Sequence, residues 1–117
     1  MEIRTRHVYD PPEDGDGLRI LVDRLWPRGL SKERADLDLW DKDVAPSTEL
    51  RQWWHHEPSA FDEFVRRYRA ELDDSGGAES LLAKIKGQDT VTLLFAAHYP
   101  QNNATVLAAY LEELLGG

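Results

Sequence analysis

Within seven residues, Asp23-Arg24-Leu25-Trp26-Pro27-Arg28-Gly29 gathers one carboxylate, two guanidiniums and an indole. A guanidinium fork matches the oxygens of a carboxylate or phosphate two at a time. Arg24 and Arg28 are therefore candidate anion ligands, with Trp26 shaping the wall of their pocket. Lys32, Ser47 and Arg51 extend the candidate ligand set. A second polar run, His98-Tyr99-Pro100-Gln101-Asn102-Asn103, follows the most apolar stretch of the chain. His98 and His55 change charge near neutral pH and are candidate proton carriers. Asp23 is the carboxylate placed to orient water or substrate, and Asn102 and Asn103 to orient a ligand. The competing reading gives these groups no ligand. In it, Arg24 and Arg28 pair with Asp23 and with the aspartates between Asp36 and Asp43, and Trp26 plugs the core.

These groups need elements to hold them. Leu18–Leu25 reads as a strand, and its block Ile20-Leu21-Val22 suits one covered on both faces. Trp26 precedes a proline and is pushed from helical dihedrals, and Gly29 permits a sharp turn. Thr90–Ala97 is the second central strand candidate. If the two are parallel neighbours, both polar runs leave the same edge of the sheet, where open α/β folds place their ligands. The amides opening the last helix could then meet the same anion. Ile3–Tyr9 reads as an edge strand. Ser31 and Ser47 are candidate helix N-caps, and Ser59 with Asp62 has the spacing of a capping box.

Four helices follow from spacing. Thr48–His55 carries Leu50, Trp53 and Trp54. Phe61–Leu72 repeats Phe61, Phe64, Val65, Tyr68 and Leu72 at three and four. Ala78–Lys86 is short, with Gly87 its C-cap. The last runs to Leu115, with Leu107, Leu111, Leu114 and Leu115 as its inner stripe.

Composition narrows the classes of function. The chain has 117 residues, 41% hydrophobic and 31% charged, which suits one folded domain spanning residues 1–117. It has no cysteine, so disulfides, thiolate metal sites and cysteine nucleophiles are excluded. No apolar run reaches the roughly 20 residues that cross a bilayer, and the first residues lack the apolar core of a secretion signal. A cytoplasmic location and no membrane association are the expectation. The formal net charge of -8 disfavours non-specific binding to nucleic acid. Charge is segregated, however. Arg19 to Arg34 carries five basic and two acidic residues, whereas Asp36 to Asp43 carries four aspartates and one lysine. That pattern reads either as a solvated surface of mixed sign or as an electropositive pocket in an acidic protein.

Other chemistries lack support. There is no phosphate-cradling or dinucleotide glycine motif, and Ser31 and Ser47 lack the setting of an activated nucleophile. His7, His55, His56, Glu57 and His98 are available metal ligands, but none has a recognised ligand spacing. No metal or cofactor is expected.

Several blocks together resemble a known family. They are Val8-Tyr9-Asp10, Leu21 through Lys32 with Asp-Arg-Leu-Trp-Pro-Arg-Gly inside, Ala45 through Arg51, Trp54-His55-His56, Val91-Thr92-Leu93-Leu94 and Asn102-Asn103-Ala104. In these the chain is similar, over nearly its full length, to the short bacterial DUF488 proteins, the YeaO-like group among them. The resemblance implies a compact α/β fold and names no reaction. Longer relatives carry a Cys-His-Arg-like segment after the last strand. Here His98–Asn103 takes that place without a cysteine, so thiol chemistry does not carry over.

The expectation is a three-layer α/β domain with a small, mainly parallel sheet flanked by helices, the direction of the Ile3–Tyr9 edge strand left open to antiparallel. The leading function is recognition of a small phosphate- or carboxylate-bearing ligand at the C-terminal edge of the sheet. The alternatives are a non-catalytic protein-interaction domain and a nucleotide- or nucleic-acid-directed enzyme. Both a monomer and a homodimer fit the sequence.

Overall fold

In the computed structural model, residues 1–116 are described. Four strands form one sheet: β1 (Glu2–His7), β2 (Leu18–Leu21), β3 (Leu39–Trp40) and β4 (Thr90–Phe95), in the order β1-β4-β2-β3. Every neighbouring pair is parallel. The two apolar strands are the central pair, with Ile20 opposite Leu93 and Leu21 opposite Leu94. The edge strand β1 is parallel to β4, so the antiparallel option for it is closed. A parallel neighbour needs a long crossover, and residues 8–89 between these two strands supply one.

Five α-helices occur among the described residues: α1 (Lys32–Ala35), α2 (Thr48–His56), α3 (Phe61–Ser75), α4 (Gly77–Lys84) and α5 (Asn103–Gly116). The α/β three-layer arrangement holds, with very unequal outer layers. On one face Ile20, Val22, Val91 and Leu93 meet residues from α2 through α5, including Leu50, Phe64, Tyr68, Leu81, Leu107 and Leu111. Full burial of each such side chain contributes about 1.5–3 kcal/mol. On the other face Leu21 and Leu94 meet only Val8, Leu30 and Ala35, with Tyr9, Trp26, Leu37, Trp40 and Ala96 packed around them. One helical turn and a loop cover that face.

The rest of this thin face is sealed by charge. Arg19 is 4% exposed and Asp16 2%. The Arg19 guanidinium donates to the Asp16 carboxylate at 2.5 Å, to the Ala35 carbonyl at 2.8 Å and to the Asp36 carbonyl at 3.0 Å. Arg6 donates to the same carboxylate at 3.0 Å. Thr92 ties the Asp16 carbonyl to β4 at 2.6 Å. A buried charge is tolerated only when so paired. Burial opposes ionisation of Asp16, but the Glu13 amide and the two guanidiniums outweigh it and hold its carboxyl below the ordinary value. Gly17 makes this approach possible. Its φ is +64°, and a Cβ there would lie 2.1 Å from the Thr90 carbonyl oxygen.

Several boundaries differ from those read in sequence. Strand β2 stops at Leu21 and β4 at Phe95, because Asp23 and Ala96 turn to bond each other in place of extending the ladder. Ser31 and Ser47 do cap α1 and α2, accepting from the amides of Arg34 and Leu50. The Ser59–Asp62 box does not form; Ala60 precedes α3 without a side-chain cap. Helix α4 is capped at Ile85, two residues before Gly87. In α5 the buried stripe is Val106, Leu107, Tyr110 and Leu111. Leu114 and Leu115 are 38% and 50% exposed, as the helix runs a turn past the core.

Candidate functional site

Parallel strands end on one edge, so the residues after β1, β2 and β4 converge. Asp23, just past β2, is half-buried. Its Oδ2 accepts from the Ala96 amide at 2.9 Å and its Oδ1 from the Asn103 side-chain amide at 2.9 Å. Asn103 is itself buried and also donates to the Val22 carbonyl at 3.2 Å. Asp23 thus fastens the end of β2 to the end of β4 and to the start of α5. Burial pushes its carboxyl above the ordinary value; the Asn103 and Ala96 donors, with the Arg51 charge, offset part of that.

His7, the last residue of β1, lies beside this staple. Its Nε2 is 3.2 Å from the Ala96 carbonyl, and its Nδ1 is 3.4 Å from the Tyr9 amide. That pairing fits a neutral ring with the proton on Nε2. The ring of His98 stacks on it with centroids 5.8 Å apart. Tyr9 also packs against His7 and donates its hydroxyl to the Arg28 carbonyl at 2.7 Å, bringing that backbone to the same edge. Tyr99 packs against Trp54, whose buried indole N–H has no partner among the described residues. Arg51, on α2, is exposed. His55 lies four residues further on the same helix, so it shares that face.

The residues singled out in sequence therefore divide into three groups. Asp23, Asn103, His98 and Arg51 belong to the C-terminal edge, and Arg28 and His55 are exposed. Asn102 is buried and fully used in shaping the turn into α5. Its Oδ1 accepts from the Ala104 amide, its side-chain amide donates to the Tyr99 carbonyl, and its backbone amide meets Thr105 Oγ1.

Arg24 and Ser47 lie elsewhere, in a cavity of about 370 Å³ between the start of α2 and α3. Arg24 donates to the Pro46 carbonyl at 3.1 Å and the Ala45 carbonyl at 3.5 Å. It pairs with none of the aspartates among the described residues, so the ion-pair lock of the competing reading is a backbone lock instead. The Ser47 hydroxyl donates to Glu71 at 2.6 Å while capping α2. Trp26 and Lys32 line a third place, beside β3. The Trp26 indole donates to the Leu30 carbonyl at 2.6 Å and its ring meets Trp40 edge-on, which makes it part of the thin-face core.

Sequence reasoning treated His7 only as a spare metal ligand. The signal that places it was the strand-end rule, applied to β2 and β4 but not to β1. Among the described residues, no group of three His, Asp or Glu side chains is arranged to hold a metal ion, and no helix is long and apolar enough to cross a membrane.

A family model described as the inactive DUF488-N3 subclade, DUF488-N3i, matches residues 2–116. The uncharacterised protein YeaO of Escherichia coli K12 is 47% identical over 115 residues, covering 97% of this chain and 100% of the relative. The uncharacterised protein Rv3073c of Mycobacterium tuberculosis H37Rv is 46% identical over 110 residues, covering 93% and 92%. Mb3100c of Mycobacterium bovis, also uncharacterised, matches to the same extent. No solved structure matches.

Proposed function

The chain belongs to the inactive DUF488-N3 subclade, and on that premise we propose that it recognises a small phosphate- or carboxylate-bearing ligand at the C-terminal edge of its sheet, without turnover. The observation that carries this reading is the state of Asp23. Both of its oxygens are engaged in joining β2, β4 and α5. A carboxylate so held is a poor general base, because abstracting a proton would weaken two structural hydrogen bonds.

What remains available around it is donor chemistry. Arg51 and Arg28 are exposed, and His98 is an exposed imidazole stacked on His7. Guanidiniums and imidazolium favour an anion, and one small anion is compatible with a net charge of -8 because the field of a local patch dominates at contact. His98 and His55 act here as ligands for charge. Asn102 shapes the turn into α5 beside the site, while Arg24 and Ser47 lie apart from it in their own cavity.

Thermal unfolding in inorganic phosphate, sulfate, acetate and malonate tests the reading. A ligand at about a hundred times its Kd stabilises the folded chain by roughly 2.7 kcal/mol. Stabilisation by at least one of these anions is expected, reduced in Arg51→Met. No stabilisation by any of them, or stabilisation unchanged in Arg51→Met, would contradict it.

A further inference from the structure

We propose that the outer edge of β3 is a homodimer contact, at which a second copy of this chain docks across a two-fold axis. Strand β3 is bonded to β2 on one side only. Beside it opens a groove of about 210 Å³ lined by Trp26, Lys32, Leu37, Asp38, Leu39 and Trp40. The four apolar side chains are each left half-buried. The two edges of the sheet differ in kind. Edge strand β1 carries Glu2, Arg4 and Arg6, with Glu2 and Arg4 ion-paired at 2.9 Å, and charges of that sort deter pairing with another chain. Edge strand β3 offers Leu39 and Trp40 in their place.

The charges around the groove identify the occupant. Lys32 and Asp38 stand in one groove with opposite sign, and among the described residues neither is ion-paired within its own chain. Asp38 spends one oxygen on the Arg19 amide at 2.9 Å and is otherwise exposed. Arg34 and Asp36, close to Lys32 and Asp38 in the chain, are also exposed. A partner of single sign would be repelled by one half. A surface with a positive and a negative half is instead its own complement after a two-fold rotation, the symmetry of the commonest protein dimers. Lys32 of each copy would then meet the acidic half of the other, with the tryptophans and leucines between.

Sedimentation velocity across a wide range of concentration tests this on the full chain. Wild type is expected to approach twice the chain mass of 13.4 kDa. Lys32→Asp sets like charges against each other and is expected to raise the dimer Kd by about tenfold or more. Lys32→Arg is expected to keep the dimer. Circular dichroism melts establish that both variants remain folded, which the exposure of Lys32 favours. A monomer at every concentration would overturn the proposal. So would a dimer that Lys32→Asp leaves unchanged, because the contact would then lie elsewhere.

Discussion

Asp23 and Asn103 are eighty positions apart in the chain, yet their side chains meet at 2.9 Å where β2 ends and α5 begins. The bond makes one carboxylate responsible for the shape of the whole C-terminal edge. Asp23→Ala removes the acceptor for both the Asn103 side chain and the Ala96 amide. Leaving such donors unsatisfied costs about 1–3 kcal/mol, so urea denaturation should show a loss of that size. Unchanged stability would mean that the staple has no structural role. The pH dependence of Asp23 is also defined. The folded state holds its proton more tightly than the unfolded chain. Its contribution is therefore full below the ordinary value of 3.8 and is lost as pH rises through the higher folded value.

Asp16 titrates with the opposite sign. Its folded value lies below 3.8, so its contribution is present above that pH and disappears as pH falls through the folded value. Comparing guanidinium denaturation near neutrality with denaturation below pH 3.8 should show a steeper acid loss in wild type than in Asp16→Asn. Equal slopes would show that the Arg19–Asp16–Arg6 network contributes nothing to acid sensitivity.

Removing the other side of that network should be costlier. Arg19→Met leaves a carboxylate and two carbonyls without their donor. Breaking a buried pair in this way costs about 3–5 kcal/mol, moderated here because Arg6 still reaches Asp16. The double variant Arg19→Met/Asp16→Leu should lose less than the sum of the single losses. Strict additivity in equilibrium unfolding would contradict a shared network.

Gly17 admits no side chain. An alanine there would need a left-handed backbone and would overlap the Thr90 carbonyl at 2.1 Å. Gly17→Ala should fail to fold or lose several kcal/mol, of about 3 or more, from the strain and clash together. A folded variant with wild-type stability in a thermal melt would refute the close approach of β2 to β4.

How much of this was legible in sequence depends on whether one residue's neighbours decided its role. Ile20-Leu21-Val22 and Val91-Leu93-Phe95 announce central strands through their own composition, and α3 announces itself through Phe64, Tyr68 and Leu72. Parallel pairing of β2 and β4 then brings Asp23, His98 and Asn103 to one edge, as expected. The fate of Arg24 was not legible, because it depends on Ala45 and Pro46, some twenty residues later, presenting their carbonyls to it. Arg19 looked like surface charge. Its burial follows from the thin face, where a loop stands in for a helix and Asp16 folds back over the sheet. His7 required knowing that β1 runs parallel to β4. The two-residue β3 is too short to carry any period.

The role assigned to Arg24 separates structure from recognition. Arg24→Met should lower stability by about 1–2 kcal/mol through the lost Ala45 and Pro46 contacts, with anion affinity unchanged when measured by calorimetry below the melting range. A parallel loss of affinity and stability would place Arg24 in the site.

The most direct measurement is a titration of the ¹⁵N-labelled protein with inorganic phosphate, followed by amide chemical shifts. Saturable shifts are expected at Asp23, Arg51, His98 and Asn103, with the amides of Ser47, Glu71 and Asp74 around the Arg24 cavity unmoved. Shifts confined to that cavity, or none that saturate, would contradict recognition at the C-terminal edge of the sheet.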